Sequence, residues 1–323
     1  MLVSRGGEPG GGAYEALSVL GQGSFGTVYL AEAASPRAPL VPRRVALKAV
    51  TQRRSEGADR RGGAPAEAWA EAVAEAKLLH SLRHPNILRC HEWFEEKLAE
   101  GSGRRLWIVL ELMHNGDLDS LYKARRQALA PPLCAPFIRR IMCDVGSALD
   151  YIHGTGILHR DVKSSNVLLS HKCQRCVLAD FGLACRIEDV GPESQAAVGT
   201  PTYLPPEVIC GRPHSQASDA WSLGVCAFKA ASLQRPFEAR DETTLTMKIV
   251  RNEPTELPWS CAADVACAVL GLLTKDLRKR LSPVEAIQLT SESPISRLSR
   301  LGPDTERRPP RLAAQLPKQL SRL

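Results

Sequence analysis

The chain has 323 residues, of which 44% are hydrophobic and 24% charged, and its formal net charge is +7. This composition is that of a globular protein rather than a disordered or fibrous one, and the length allows two packed lobes or one large domain. The longest uncharged apolar stretch, around residues 265–273, is far shorter than the ~20 residues of a membrane-spanning helix, so we expect no insertion into a membrane.

The first third of the chain predicts mainly strands. Residues 1–12 are rich in Gly without a hydrophobic period and predict a flexible leader. Residues 27–30 and 45–50 have strand composition, and three prolines between them exclude a helix there. A basic, Gly-containing insertion at 52–66 then leads into an Ala-rich helix predicted over residues 66–82.

The rest of the chain predicts mainly helices. One more strand is predicted at residues 106–110, before a turn signal at 114–116. Apolar positions three and four residues apart predict helices over 136–153, 218–232 and 262–273.

Residues 159–166, which read HRDVKSSN, concentrate polar side chains without a helical or strand period. A buried core segment would not tolerate them, whereas a solvated loop would, so the stretch must be interpreted from its distant neighbours.

Two of these distant neighbours belong to the predicted strand region. A GxGxxG pattern at 21–26 lets backbone amides approach a polyphosphate, and it opens a strand where a dinucleotide-binding fold would open a helix. Lys48 shares a strand face with Ala46 and could reach phosphate oxygens from there.

Two acidic residues complete the set of neighbours. Glu75 lies on the Ala-rich helix and either belongs to a solvated acidic stripe with Glu67 and Glu71 or turns inward to pair with Lys48. Asp180 begins the tripeptide Asp-Phe-Gly, directly after an apolar stretch that predicts a strand at 176–179.

Together these motifs resemble those of the eukaryotic protein kinases over roughly residues 14–289. The set also includes GTPTYLPPE at 199–207 and DAWSLG at 219–224. The resemblance implies an α+β, bilobal protein-kinase fold, with a small β-rich N-lobe at 13–113 that carries one key helix and a larger, mainly helical C-lobe at 114–289. It also implies a serine/threonine protein kinase that transfers the γ-phosphoryl group of ATP with Mg²⁺ to protein substrates.

By the same resemblance, each motif residue acquires a role. Asp161 would accept the proton of the substrate hydroxyl, and Asn166 and Asp180 would bind Mg²⁺. The other catalytic candidates are Lys48, Glu75, Lys163 and Thr200, the last two of which match the serine/threonine branch. Glu111 and Met113 would present backbone groups to adenine. The remaining nucleotide contacts would be Leu20, Gly21, Gln22, Gly23, Ser24, Phe25, Gly26, Thr27, Val28, Ala46, Lys48 and Leu168.

Some positions bear on specificity and regulation. Residues 235–251 look most like the NIMA-related kinases. Leu183 favours serine as the acceptor, and Ser165, where Arg-directed kinases have an acidic residue, argues against a strong preference for upstream basic residues. The usual activating phosphosite falls on Ala196. Phosphorylation of nearby Ser194, the fixed charge of Glu193, and ordering by packing or a partner stay open as alternatives.

The main rival interpretation is a pseudokinase scaffold that binds partners through its cleft and basic tail. Such proteins usually lack one of the residues at Lys48, Asp161 or Asp180, and all three are present together with Asn166, which favours catalysis. The tail at 290–323 predicts disorder, although its leucines could form a short helix on a regulatory partner. Nucleic-acid binding by this tail is disfavoured, because no aromatic residue accompanies its arginines.

The cysteines indicate the compartment. Ten of them are scattered without framework spacing, and no apolar signal segment is visible, so we expect reduced thiols in the cytoplasm or nucleus. A metal site at His171, Cys173 and Cys176 is disfavoured, because no second ligand pair stands at zinc-site spacing. The last residues, Ser321, Arg322 and Leu323, are close to the Ser-Lys-Leu peroxisomal signal and leave a peroxisome-type organelle as the alternative.

Overall fold

A computed structural model describes residues 2–4, 13–23, 26–33, 41–53, 65–98, 103–190 and 198–291. The chain divides after Thr290, so almost all described residues belong to the unit Met1–Thr290. Several predictions concern positions outside the described residues. These positions are most of the leader, Ser24, Phe25, most of the insertion at 52–66, Glu193, Ser194, Ala196 and the tail from residue 292 to the terminal Ser321, Arg322 and Leu323.

Within the described residues, six strands form one antiparallel sheet in the order β1-β2-β3-β4-β6-β5. The predicted strands at 27–30, 45–50 and 106–110 are confirmed, and each is longer than expected. One prediction is corrected, because residues 2–4 of the expected flexible leader pair with residues 13–15 as a strand. The six strands are β1 Leu2–Ser4, β2 Ala13–Gly23, β3 Gly26–Ala33, β4 Arg44–Arg53, β5 Cys90–Lys97 and β6 Gly103–Glu111.

One helix, α1 (Pro65–Ser81), packs on this sheet against β4, β5 and β6, which confirms the helix predicted over 66–82. Its buried face carries Trp69, Ala76 and Leu79, at the spacing that an amphipathic helix requires. These side chains join a core that continues into the helical part of the chain. The sheet and α1 together form the N-lobe.

Helices dominate the C-lobe, and those predicted over 136–153, 218–232 and 262–273 are confirmed. The central one, α5, packs against both α3 and α7, and buries Trp221 and Phe228 almost completely. The helices are α2 Leu118–Gln127, α3 Ala135–Gly154, α4 Pro206–Ile209, α5 Gln216–Ser232, α6 Glu242–Arg251, α7 Ala263–Leu272 and α8 Pro283–Ser291. With the N-lobe sheet, they confirm the α+β, two-lobed architecture.

Two short antiparallel strand pairs among the described residues flank the polar loop at 159–166. Strand β7 (Ile157–Leu158) precedes the loop and pairs with β10 (Cys185–Arg186), and β8 (Val167–Leu169) follows it and pairs with β9 (Cys176–Leu178). Because β9 ends just before Asp180, both polar segments emerge from paired strands. The turn at 114–115 joins β6 to α2 and so links the two lobes.

The structure also bears on the expectations about thiols, metal binding and membrane insertion. All ten cysteines are free thiols. Across the described ranges, no group of three His, Cys, Asp or Glu residues is placed to hold a metal ion, and no helix is both long and apolar enough to span a bilayer.

Candidate active site

The polar loop at 159–166 is held in place by Asp219, a buried residue in the first turn of α5. Its carboxylate accepts hydrogen bonds from the backbone N–H groups of His159 at 3.0 Å and Arg160 at 2.9 Å. Nε2 of His153 lies 2.8 Å from the same carboxylate. Burial raises the pKa of Asp219, but the hydrogen bond and charge of His153 outweigh this and lower it overall. Asp219 therefore holds Arg160 at φ +64°, a left-handed conformation that is costly for a residue with a Cβ.

The carboxylate of Asp161 has a donor on each oxygen. Nζ of Lys163 lies 2.5 Å from Oδ2, and Nδ2 of Asn166 lies 3.1 Å from the same atom. On the other side, the Thr200 hydroxyl donates to Oδ1 at 3.0 Å. Asp161 is only 8% exposed, and these three donors fix the direction of its carboxylate.

Asn166 and Asp180 are brought to one place by the β8–β9 hairpin. The backbone N–H of Ala179 donates to the carbonyl of Asn166 at 2.8 Å, which places Asp180 next to it in space. The Asn166 amide nitrogen is engaged by the Asp161 backbone at 2.9 Å, so its amide oxygen is the atom left for a ligand. Amide and carboxylate oxygens are the ligand types that Mg²⁺ prefers, and both residues line the interlobe cleft.

The structure decides between the two interpretations of Glu75. Its carboxylate binds Nζ of Lys48 through both oxygens, at 3.0 and 2.9 Å. The two side chains are 10% and 16% exposed, whereas Glu71 one turn earlier is exposed. The Glu75 carboxylate also lies close to Gly182, because a Cβ on that glycine would be 4.0 Å from Oε2. Helix α1 is thus joined to the sheet by an ion pair and passes close to the Asp-Phe-Gly segment.

The interlobe cleft has a volume of about 420 Å³. The sheet register places Val28 opposite Lys48 and Leu30 opposite Ala46, which confirms that Lys48 and Ala46 share a face. Glycine is required at position 26, where φ is +128° and a Cβ would lie 2.1 Å from the carbonyl oxygen of Ala49. The predicted residues that line the cleft are Leu20, Gly21, Gly26, Val28, Ala46, Lys48, Glu75, Glu111, Met113, Asn166, Leu168 and Asp180.

Two predicted nucleotide contacts lie elsewhere. Gln22 and Thr27 line a neighbouring cavity of about 450 Å³ between the glycine loop and α1. Alternation along β3 explains the position of Thr27, because Gly26 and Val28 on either side of it line the cleft. The backbone of Gly23 belongs to β2.

The segment joining the lobes offers backbone groups at the back of the cleft. The N–H of Glu111 donates to the carbonyl of Arg89 at 2.9 Å, so a hydrogen bond from Glu111 to adenine must use its carbonyl. Among the residues that the structure describes, none accepts from the N–H of Met113. An acceptor and a donor two residues apart fit the edge of an adenine ring, and the apolar Ala46 and Leu168 fit its faces.

Sequence reasoning missed a buried polar network beneath the loop. Nζ of Lys229 binds Oδ1 of Asp119 at 2.7 Å, Oγ of Ser164 at 2.9 Å and the hydroxyl of Tyr203 at 2.9 Å. Burial alone would lower the pKa of Lys229, but Tyr203 and Asp119 raise it overall. A lysine within the otherwise apolar second half of α5 was the available signal, because an unpaired ammonium would be costly there.

The stretch 199–207 is fixed at both ends. Glu207 forms a buried, bidentate pair with Arg280, with nitrogen–oxygen distances of 2.6 and 2.8 Å. At the other end, Gly199 has φ +117°, and a Cβ there would lie 2.8 Å from the carbonyl oxygen of Arg160. The contact of Thr200 with Asp161 therefore depends on a glycine and on a distant arginine.

Comparisons with known proteins agree with this geometry. The protein kinase domain profile matches residues 14–290. The putative serine/threonine-protein kinase A of Trypanosoma brucei brucei is 32% identical over 273 residues, which cover 84% of this chain and 58% of that protein. Serine/threonine-protein kinase Nek3 of Mus musculus is 32% identical over 270 residues, covering 83% of this chain and 47% of that protein.

Another similar protein is serine/threonine-protein kinase Nek4 of Mus musculus, which is 28% identical over 270 residues, covering 84% of this chain and 31% of that protein. The chain therefore spans between 31% and 58% of the length of these three relatives. The Nek proteins among them confirm the similarity to NIMA-related kinases that residues 235–251 predicted.

Proposed function

The chain belongs to the protein kinase family, and on that premise we propose that it transfers the γ-phosphoryl group of ATP, with Mg²⁺, to serine or threonine hydroxyls of protein substrates. The named relatives are serine/threonine kinases, which supports the class of acceptor. Because the chain spans only part of each relative, the activity and substrates of the whole protein belong to this proposal.

One arrangement carries the proposal. Lys48, Asn166 and Asp180 line one cleft, and Asp161 is hydrogen-bonded to Asn166 at the edge of that cleft. These four groups come from β4, the polar loop and the segment after β9, so only the fold brings them together. A pseudokinase would not need to keep all four in this geometry.

Each of these side chains would have a role in phosphoryl transfer. ATP supplies the phosphoryl group, and bound Mg²⁺ would supply positive charge against its oxygens. Asp161 would accept the proton of the substrate hydroxyl, and the base of such a reaction contributes about 10²- to 10⁴-fold in rate. Lys163, which is hydrogen-bonded to that carboxylate, would place an ammonium near the transferring group. Lys48, held by Glu75, would bind phosphate oxygens, while Asn166 and Asp180 would hold the metal ion.

The acceptor preference is part of the same proposal. Leu183 favours serine over threonine, and Ser165 leaves no acidic side chain at that position to attract an upstream basic residue. We therefore expect phosphorylation mainly of serine, without a strong requirement for upstream arginine.

Purified chain incubated with radiolabelled Mg·ATP and a degenerate serine/threonine peptide library tests both statements. The Lys48→Met and Asp161→Asn variants serve as inactive references, and Asp150→Asn, an exposed residue at the end of α3, serves as the matched control. We expect wild type and Asp150→Asn to label serine peptides and the two cleft variants to lose nearly all labelling. Nucleotide binding without labelling by wild type would favour the scaffold interpretation and refute the proposal.

A further inference from the structure

A second cavity of about 420 Å³ shares the residue Glu111 with the interlobe cleft. Three arginines line it. Arg83 comes from the loop after α1, Arg89 directly precedes β5, and Arg175 lies in the β8–β9 turn. Glu111 is the only acidic residue among its described lining residues. We call this space the arginine cavity, and its lining carries two more positive than negative charges.

The single carboxylate that lines the arginine cavity, that of Glu111, already has a partner. Arg175 forms an ion pair with Glu111 through Nη2 and donates through Nη1 to the carbonyl of Pro85 at 2.6 Å. Arg83 donates to the backbone carbonyls of His80 and Leu82 at the end of α1, and within the described ranges it has no carboxylate partner. The positive charge of this arginine is therefore left without an anion in the described structure.

Arg89 is the most informative residue of the cavity. Its side chain is half-buried, yet its guanidinium has no hydrogen bond or ion pair to any residue that the structure describes. Desolvating a guanidinium without a partner is unfavourable, and a rigid fork of five N–H donors is well suited to an anion. The backbone of Arg89 is fixed by the N–H of Glu111, so the side chain starts from a defined position.

Two histidines add ring nitrogens to the same lining. Nδ1 of His84 accepts from the N–H of Asn86 at 3.1 Å, which leaves the proton on Nε2, and the ring stacks on Tyr151 with centroids 5.2 Å apart. Nε2 of His91 is buried and has no hydrogen-bond partner among the described residues. Burial and the charge of Arg89 lower the pKa of His91, so its ring is neutral near pH 7. A buried ring nitrogen without a described partner, in the same lining as the unpartnered Arg89, points to a missing ligand.

We propose that the arginine cavity binds the phosphate group of a phosphorylated serine or threonine in a peptide segment. The phosphomonoester carries about −1.5 to −2 charges at pH 7, which matches the excess of two positive charges. Its three oxygens can accept the forked donors of Arg83 and Arg89. The cavity is larger than a phosphate group, and its apolar lining by Pro42, Pro85 and Ile87 suits the flanking residues of a peptide.

This proposal concerns binding alone and does not depend on phosphoryl transfer. A labelled peptide, Ala-Gly-phosphoserine-Gly-Ala, is titrated into the purified full chain and followed by fluorescence anisotropy, beside the same peptide with unmodified serine. Arg89→Gln removes the unpaired guanidinium, Arg89→Lys keeps the charge, and Arg126→Gln removes an exposed arginine of α2 outside the cavity. Thermal unfolding of each variant checks that its fold is intact.

We expect the phosphopeptide to bind more tightly than the serine peptide. Arg89→Gln should weaken this binding about tenfold or more, since hydrogen bonds to charged groups are strong, whereas Arg126→Gln should leave it within about twofold. Arg89→Lys should retain part of the affinity. Equal affinity of the two peptides, or equal losses in Arg89→Gln and Arg126→Gln, would overturn the proposal. Inorganic phosphate or a short RNA binding as tightly at this cavity would overturn the assignment to a phosphopeptide.

Discussion

The hydroxyl of Thr200 donates a hydrogen bond to Oδ1 of Asp161 at 3.0 Å, although the two residues are 39 positions apart. Lys163 binds the other carboxylate oxygen, so Asp161 can rotate neither way without losing a donor. Thr200, in the last part of the segment 180–207, therefore contacts the proposed base directly.

Removal of the Thr200 hydroxyl tests this coupling. Thr200→Val keeps the shape and loses the donor, and we expect kcat to fall about 10- to 100-fold, since a hydrogen bond to a charged group is worth ~1.5–3 kcal/mol. Thr200→Ser retains a hydroxyl and should keep most of the activity. Steady-state phosphorylation of one peptide by wild type and both variants measures the effect. Equal rates for Thr200→Val and Thr200→Ser would show that the hydrogen bond does not contribute to catalysis.

Glu75 should matter because it holds Lys48 in the cleft. In Glu75→Gln the ammonium loses its charged partner, and we expect kcat/KM for ATP to decrease about 10- to 100-fold. Glu71→Gln makes the same chemical change one helical turn earlier on an exposed position, and should alter kcat/KM by less than about twofold. Similar losses in both variants would mean that only the overall charge of α1 matters.

Asp119 should contribute stability that depends on pH. Burial raises the pKa of this carboxyl, but hydrogen bonds from Lys229, Lys123 and Ser164 lower it well below its ordinary value. Because the folded pKa lies below the unfolded value of about 3.9, the contribution is complete above about pH 4 and is lost as the pH falls further.

Urea unfolding of wild type and Asp119→Asn at about pH 7, about pH 5 and about pH 3.5 measures this dependence. The difference in free energy of unfolding between the two proteins should be similar at the two higher values and smaller at the lowest. Asp150→Asn, at an exposed position, should change the free energy little at any of them. A difference that grows on acidification would contradict the lowered pKa.

The buried pair of Arg280 and Glu207 should be a major stabilising element. Their side chains are 0% and 5% exposed, so Arg280→Met leaves a carboxylate buried without its partner. We expect a loss of about 3–5 kcal/mol in the free energy of unfolding. The adjacent Lys279 forms an exposed pair with Asp276 at 3.7 Å, and Lys279→Met should cost less than about 1 kcal/mol. Urea unfolding of both variants measures these losses. Equal losses of unfolding free energy in the two variants would refute the role given to burial.

Local patterns in the sequence predicted most of the long elements. Helices α3 and α5 were found from their apolar spacing, and β4 from its β-branched and apolar residues. Strand β5 was not predicted, because four of its eight residues are Glu or Lys and its apolar positions do not alternate clearly. Strand β1 escaped because three residues beside a Gly-rich stretch gain their structure only from pairing with β2.

The sequence by itself determined the family, the chemical type of each candidate residue and the order of the motifs, because these depend on residues close together in the chain. Only the tertiary structure decided which groups meet. It paired Lys48 with Glu75, turned Gln22 and Thr27 away from the cleft, and brought Lys229 beneath the polar loop. These outcomes depend on how strands align and how helices pack across long sequence separations, and no local period records that information.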